Sequence, residues 1–322
     1  MRFAFTDDQL AFRDAVRELL DKECPPSVVR NAWSNETGRT DTVWSQLADM
    51  GVLGMLAPEA EGGLGCSELD LVLVLEEAGR AALPEPLVEH AAVAMPVLSD
   101  RAGAVSGAVT VTAMFSDRPV ASYGAQADTI LMHHDGGLYV VARDDMELAP
   151  LASVDGSRRL TTVEWDLQRS TRLGDELAAP TFDRGALGTA AQLCGLAARM
   201  IDMTVEYVKE RRQFGVPIGS FQAVKHHLAD ARLALEFARP LVYRAAWSVA
   251  QREAEQPFYV SMAKAKASDA ALLAGRKALQ CHGAIGYSYE HDLHLFMKRA
   301  WVLASAWGDA RWHRARVGRA IL

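Results

Sequence analysis

Hydrophobic residues recur along this chain first at helical spacing, then in alternation, then at helical spacing again. Near the start, Phe12, Val16, Leu19 and Leu20 share one helical face behind Thr6-Asp7-Asp8-Gln9. That tetrad predicts a capping box, with Thr6 as N-cap and Gln9 three residues on. Pro25-Pro26 ends the helix. A second helix is expected through Trp44, Leu47 and Met50, stopping near Gly51. A short apolar link and the glycine loop Gly62-Gly63-Leu64-Gly65 follow. A third helix is predicted after Ser67, through Leu69, Val72, Leu73 and Leu75 to Ala78, with Gly79 as its stop and Pro84 and Pro86 marking the next turn. Residues 1–103 thus form a helical head.

The rhythm changes over 104–183. Val109–Phe115 is strand-like, and Thr161–Asp166 alternates as a half-buried strand does. Thr129–His134 and Leu138–Ala142 flank Asp135-Gly136-Gly137, which predicts a hairpin. A small β-domain is expected here. Over 184–322 the helical period returns. Leu193, Ala197, Met200, Ile201, Thr204 and Val208 lie on one face, opposite Arg199, Asp202, Glu206 and Lys209. Further helices are expected from Phe221 to about Ala250, from Pro257 to about Leu279, and from Asp292 to Ala306. Alanine at many facing positions lets helices approach closely, so a four-helix bundle is the predicted arrangement. The fold class is mainly α with a small β-domain.

Composition narrows the function classes. The chain has 34 Lys and Arg against 41 Asp and Glu, a formal charge of −7, so nothing draws it to nucleic acid. No apolar run is long enough for a membrane span. Cys24, Cys66, Cys194 and Cys281 are scattered without paired spacing, which points to a reduced, cytoplasmic setting. The histidine pairs His226-His227 and His291/His294 lack a third ligand at suitable spacing; they read as helix-surface residues, and no metal is expected. The basic end (Lys298, Arg299, Arg311, Arg314, Arg316, Arg319) reads as a solvated helix face.

Two glycine-punctuated segments carry the chemistry. One is Glu210-Arg211-Arg212-Gln213-Phe214-Gly215, followed by Gly219-Ser220-Phe221-Gln222-Ala223-Val224-Lys225. The other is Leu279-Gln280-Cys281-His282-Gly283-Ala284-Ile285-Gly286-Tyr287-Ser288-Tyr289-Glu290. Each sets a basic or amide side chain beside a glycine turn, an arrangement suited to a phosphate-bearing ligand. Read singly, Arg211 is equally a charge complementing a helix end, and Gln222 and Gln280 are polar residues at helix termini.

In this order, and with Trp44…Gly51-Val52-Leu53-Gly54, Pro58-Glu59…Gly62-Gly63-Leu64-Gly65 and Glu76-Glu77-Ala78-Gly79-Arg80, the segments resemble the acyl-CoA dehydrogenase family over nearly the whole chain. The resemblance implies an N-terminal helical domain, a middle β-barrel and a C-terminal four-helix bundle. It implies FAD at a subunit interface, an acyl-CoA substrate and α,β-dehydrogenation of the thioester. Carried over residue by residue, it gives Arg211, Gln213, Phe214, Gln222, Gln280, His282, Gly283 and Ala284 to the adenine and pyrophosphate end of FAD. Ala284 stands where the family has a second glycine, and a positive φ there would strain it.

The chain departs from the family where the reaction happens. A carboxylate must remove the thioester's α-proton. The two positions that provide it in the family are occupied here by Gly185 and Trp307. Asp309 is the fallback, with Asp183 and Glu290 also near. The family's Thr-Glu-Pro…Gly-Ser-Asp and Lys-x-Trp-Ile-Thr-Asn segments, which meet the flavin ring, are missing from the shortened β-domain. This pattern resembles the base-lacking subunit of heteromeric α2β2 members in actinobacteria, linked to steroid side-chain breakdown. A second acyl-CoA dehydrogenase-like subunit is then the expected partner, and no catalytic residue is expected in this chain. Two other readings stay open: a self-sufficient dehydrogenase using Asp309 or Glu290, and a flavin-free acyl-CoA-binding or assembly module.

Overall fold

The computed structural model describes residues 4–115 and 118–322, so the first three residues of the predicted head lie outside the description. The chain divides into two compact units, Met1–Val74 with Leu83–Gly188, and Leu75–Ala82 with Thr189–Leu322.

In the first unit, helix α1 (Asp7–Glu23) opens on the predicted capping box: Gln9 N–H donates to Thr6 Oγ1 and Thr6 N–H to Gln9 Oε1. Pro26 then sits at the first position of α2 (Pro26–Ser34), where its missing N–H costs nothing. This helix is too short to show a period, so the sequence pattern passed over it. Helix α3 (Asp41–Asp49) buries Val43, Trp44 and Leu47. Helix α4 (Glu68–Arg80) runs through Gly79 instead of stopping there. Further on, Val88–Ala94 winds as a fully buried π-helical stretch into the short α5 (Met95–Leu98).

The β region of this unit contains two sheets. Strands β1 (Val111–Met114), β3 (Thr129–His134), β4 (Gly137–Ala142) and β7 (Thr171–Gly174) make one, in the order β1-β3-β4-β7. Strands β2 (Val120–Ala121), β6 (Thr161–Trp165) and β5 (Met146–Pro150) make the other. The predicted hairpin is β3–β4, paired from Thr129 with Ala142 to His134 with Gly137. Asp135 and Gly136 turn it with φ of 44° and 81°, the left-handed pair that matches strand twist. Met114, Ala121, Ile130, Met132, Val141, Met146 and Val163 form one shared core between the sheets.

In the second unit, the helices predicted from the alanine-rich pattern are α6 (Ala178–Glu210, counted here from Thr189), α7 (Gln222–Ala250), α8 (Gln256–His282) and α9 (Leu293–Ser305). A fifth helix, α10 (Ala310–Ile321), packs on α8 through the buried His313. The basic end therefore spans α9 and α10 and has an inner face as well as a solvated one, with Arg299 buried in α9. Gly79 belongs to this unit and shows why α4 continues: a Cβ there would lie 2.1 Å from the Gln192 carbonyl oxygen. The glycine serves a backbone-to-backbone helix crossing. Gly195 repeats the arrangement in reverse, with a Cβ 1.9 Å from the Glu76 carbonyl oxygen. Glu76 closes the crossing, its carboxylate accepting from Arg239 Nε and from the Tyr243 hydroxyl, each at 2.7 Å.

Candidate functional site

Helix α6 ends in a small hairpin. Strand β8 (Arg212–Gln213) pairs with β9 (Val216–Pro217), and Ile218 N–H donates to the Arg211 carbonyl oxygen. Phe214 and Gly215 make the turn with φ of 53° and 81°. Left-handed backbone suits Gly215, whereas for Phe214 it costs about 1 kcal/mol. The Phe214 ring is nevertheless 91% exposed, held edge-on to Phe221 with centroids 6.2 Å apart. Phe221 is the N-cap of α7 and gives it no side-chain cap, so the first-turn N–H groups beside Gln222 remain available to an acceptor. Arg211, Gln213 and Gln222 are exposed.

The second segment begins at the end of α8. Gly283 turns the chain with φ of 65°, and a Cβ placed on it would meet nothing within 4 Å. Ala284 is not among the left-handed residues; the strain expected of it is absent because Gly283 alone takes the special conformation. Gln280, Gly283 and Ala284 are exposed, while His282 is buried at 5% exposure. His282 Nδ1 lies 2.9 Å from the Ala278 carbonyl oxygen, to which it donates, and burial lowers its affinity for a proton. The neutral ring therefore keeps a bare lone pair on Nε2, which has no partner. The turn here closes a helix and leads into the short 3₁₀ stretch Gly283–Tyr287; the helix N-terminus of the site is that of α7.

Tyr207 joins the two segments. Its ring stacks on His282, its hydroxyl donates to the His282 carbonyl oxygen at 3.5 Å, and its own carbonyl accepts the Arg211 N–H one turn on. His291 stands edge-on to His282 with centroids 4.6 Å apart. His294 is buried too, so His291 and His294 are not the helix-surface residues that spacing suggested. Tyr207 did not stand out in the sequence, and His291 did so only as half of a histidine pair. Among the described residues, no group of three or more His, Cys, Asp or Glu is arranged to hold a metal ion.

Of the positions matched to the family's base, Gly185 is buried inside α6. Trp307 takes a left-handed φ of 55°, followed by Gly308 at 85°. Asp309 caps α10, its Oδ1 accepting from Trp312 N–H at 2.7 Å. Glu290 is exposed. The corner at Trp307 rests on two buried side chains that sequence reasoning missed. Lys264 Nζ donates to the carbonyl oxygens of Ala304 and Gly308 at 3.1 and 3.0 Å. His313 Nε2 donates to the Trp307 carbonyl oxygen at 2.8 Å, and its Nδ1 lies 3.1 Å from Ser261 Oγ. A signal existed: Val260, Lys264, Ala267 and Ala271 fall at helical spacing, which places Lys264 on the apolar face of α8.

Comparison with known proteins agrees with this organisation. Residues 6–127 match the family model described as acyl-CoA dehydrogenase, N-terminal domain, and residues 174–322 match acyl-CoA dehydrogenase, C-terminal domain. The chain is 32% identical over 304 residues to the acyl-CoA dehydrogenase IpdE2 of Mycobacterium tuberculosis (strain ATCC 25618 / H37Rv), covering 91% of each chain. It is 33% identical over 312 residues to IpdE2 of Mycolicibacterium smegmatis (strain ATCC 700084 / mc(2)155), covering 95% of this chain and 96% of the relative. Among solved structures it resembles the ChsE4-ChsE5 complex from Mycobacterium tuberculosis, with a TM-score of 0.89, 26% identity, and coverage of 100% of this chain and 99% of the other. A variant of the Tcur3481-Tcur3483 steroid ACAD shares the fold, with a TM-score of 0.87, 24% identity and 98% of each chain covered. None of the described helices is long and apolar enough to cross a membrane.

Proposed function

Because the chain belongs to the acyl-CoA dehydrogenase family, we propose that it is the non-catalytic subunit of a heteromeric, FAD-dependent acyl-CoA dehydrogenase. In this reading it has three parts, 1–103, 104–183 and 184–322. The last part lends the adenine and pyrophosphate half of a flavin site to a second acyl-CoA dehydrogenase-like subunit, in an α2β2 assembly. The partner supplies the flavin-ring pocket and the base. The neighbouring solved structures that pair two such chains, one of them a steroid ACAD, support both the heteromer and a bulky steroid-type acyl-CoA as substrate class. The scattered free cysteines agree with a reduced, cytoplasmic setting.

One observation carries the proposal. Phe214 is held almost fully exposed on a left-handed turn, beside an exposed Arg211 whose side chain makes no hydrogen bond or ion pair among the described residues. A strained, solvated aromatic ring and an unpaired guanidinium make sense as contacts for something outside this chain.

The residues fit a dinucleotide diphosphate. Arg211 would place fixed N–H donors against a phosphate oxygen. Phe214 would cover an adenine face, with Gln213 beside it. Gln222 and the uncapped start of α7 would add donors to the diphosphate. Gln280, Gly283 and Ala284 would line the opposite side, where Gly283 leaves room for close approach. His282 would hold that turn from behind. Bound FAD would accept the β-hydrogen of the thioester as hydride while the partner's base takes the α-proton. With Gly185 and Trp307 at the base positions, this chain's residues bind and orient.

Co-expression with candidate partner subunits tests the proposal. The complex should be yellow, and Arg211→Ala should lower its flavin content at unchanged subunit stoichiometry. A chain that binds flavin alone and bleaches with an acyl-CoA would instead establish a self-sufficient enzyme. A complex that stays colourless with every partner would establish a flavin-free module.

A further inference from the structure

Lys264 is fully buried, and all of its hydrogen-bond partners are uncharged. Two are the carbonyl oxygens of Ala304 and Gly308, and the third is Ser268 Oγ at 3.4 Å. Ser268 already donates its own hydroxyl proton to the Lys264 carbonyl oxygen at 2.8 Å. A neutral amine has two N–H donors, which match the two close carbonyls. The third proton of an ammonium would face only the longer contact. The nearest carboxylate acting on Lys264, Asp309, is engaged in capping α10. Burial accordingly lowers Lys264 to about 7, with Asp309 opposing.

These bonds hold a shape that local sequence does not favour. Trp307 is a bulky residue in left-handed backbone. The carbonyls of Ala304, Trp307 and Gly308 all turn inward, onto Lys264 from α8 and His313 from α10. Ser261 and Arg316 complete the surroundings, with Arg316 Nη1 3.5 Å from Ser261 Oγ. Releasing the corner would relieve Trp307 and hydrate the amine together.

We propose that the Ala304–Asp309 corner is a proton-linked latch: it opens as Lys264 takes a proton from water and closes as Lys264 gives one up. The link follows from the geometry, because an open corner exposes an amine that is charged in water, whereas the closed corner encloses one with neutral acceptors only. The latch lies at one of the two positions that the family resemblance assigns to a base, and it is independent of whether a flavin binds at Arg211.

Amide hydrogen exchange of the full-length chain, followed by mass spectrometry of peptides spanning 300–313 between pH 6 and 9.5 and corrected for intrinsic exchange, tests this. Protection of the corner should fall as pH drops from 9 to 7, by up to about tenfold per pH unit, and level off below 7. Peptides from α6 serve as the reference. Lys264→Met should remove the slope. His313→Gln should retain it, because burial holds His313 neutral down to about 4. Flat protection in the wild-type chain overturns the proposal without recourse to any variant. A slope that survives in a folded Lys264→Met chain, or disappears in His313→Gln, overturns it as well.

Discussion

Tyr207 lies almost flat against His282, with ring centroids 4.3 Å apart and planes 21° from parallel. Through this contact the end of α6, from which Arg211 projects, is fixed to the end of α8, where Gly283 turns. The two glycine segments behave as one surface because of one aromatic pair. Tyr207→Phe keeps the ring and removes only a long 3.5 Å hydrogen bond, so it should shift stability by less than about 1 kcal/mol. Tyr207→Ala removes the half-buried ring and should cost about 2–4 kcal/mol. It should also loosen the hairpin and lower the flavin content of the complex. Thermal unfolding and flavin absorbance, read on the same preparations, distinguish the two effects.

Phe214 separates stability from binding. Its left-handed backbone is costly for an aromatic residue, and its 91% exposed side chain gains almost nothing from burial within the chain. Asparagine tolerates this backbone. Phe214→Asn should therefore leave the isolated chain unchanged or stabilise it by up to about 1 kcal/mol. The same substitution should weaken flavin retention in the complex. Chemical denaturation of the chain and flavin content of the assembly read the two effects; loss of neither, or of both together, would contradict this account of the turn.

The sequence displayed what periodicity and turn chemistry encode. Thr6 and Gln9 announce α1, and Asp135-Gly136 announces its hairpin, because each is settled within a few residues. The alanine faces of α6 and α8 are equally plain. What stayed hidden depends on partners far away in the chain. Gly79 looks like a helix stop until Gln192 is seen against it. Lys264 lies on the apolar face of α8 by spacing, but what it holds is hidden until the Ala304 and Gly308 carbonyls turn toward it. His291 and His294 read as surface histidines because the half-burial of the first and the burial of the second come from packing rather than from spacing. In the candidate site, the exposed residues Arg211, Phe214 and Gln222 were legible from their motif. Tyr207, which joins the two segments, carries no motif.

The helix crossing at Gly79 should tolerate no side chain. A Cβ there would sit 2.1 Å from the Gln192 carbonyl oxygen, and backbone on both sides leaves nothing soft to yield. Gly79→Ala should destabilise the chain by about 3 kcal/mol or more, and Gly195→Ala comparably. Gly136→Ala offers a contrast: nothing lies near its Cβ, so only its left-handed φ is strained, at about 1 kcal/mol. Urea midpoints for the three variants should fall in that order of severity.

Acid should weaken this fold over a window set by two buried histidines. His90 and His313 are each lowered to about 4 by burial, against about 6.5 in an unfolded chain. His90 accepts the Val111 N–H on Nδ1 and faces the Ala104 carbonyl oxygen with Nε2; His313 is held between Ser261 and Trp307. In both, protonation would set a donor against a donor or leave a charge buried. Between pH 6.5 and 4 the unfolded chain binds protons that the folded chain refuses, so stability falls as pH falls, fully present above 6.5 and lost down to about 4. Each histidine contributes on the order of 3 kcal/mol over that interval as an upper bound. Thermal melts at intervals from pH 7 to pH 4.5 should show the decline, and His313→Gln, which keeps a donor toward Trp307, should reduce its slope. A chain equally stable at both ends of the range would mean that the two imidazoles are reached by water in the folded state.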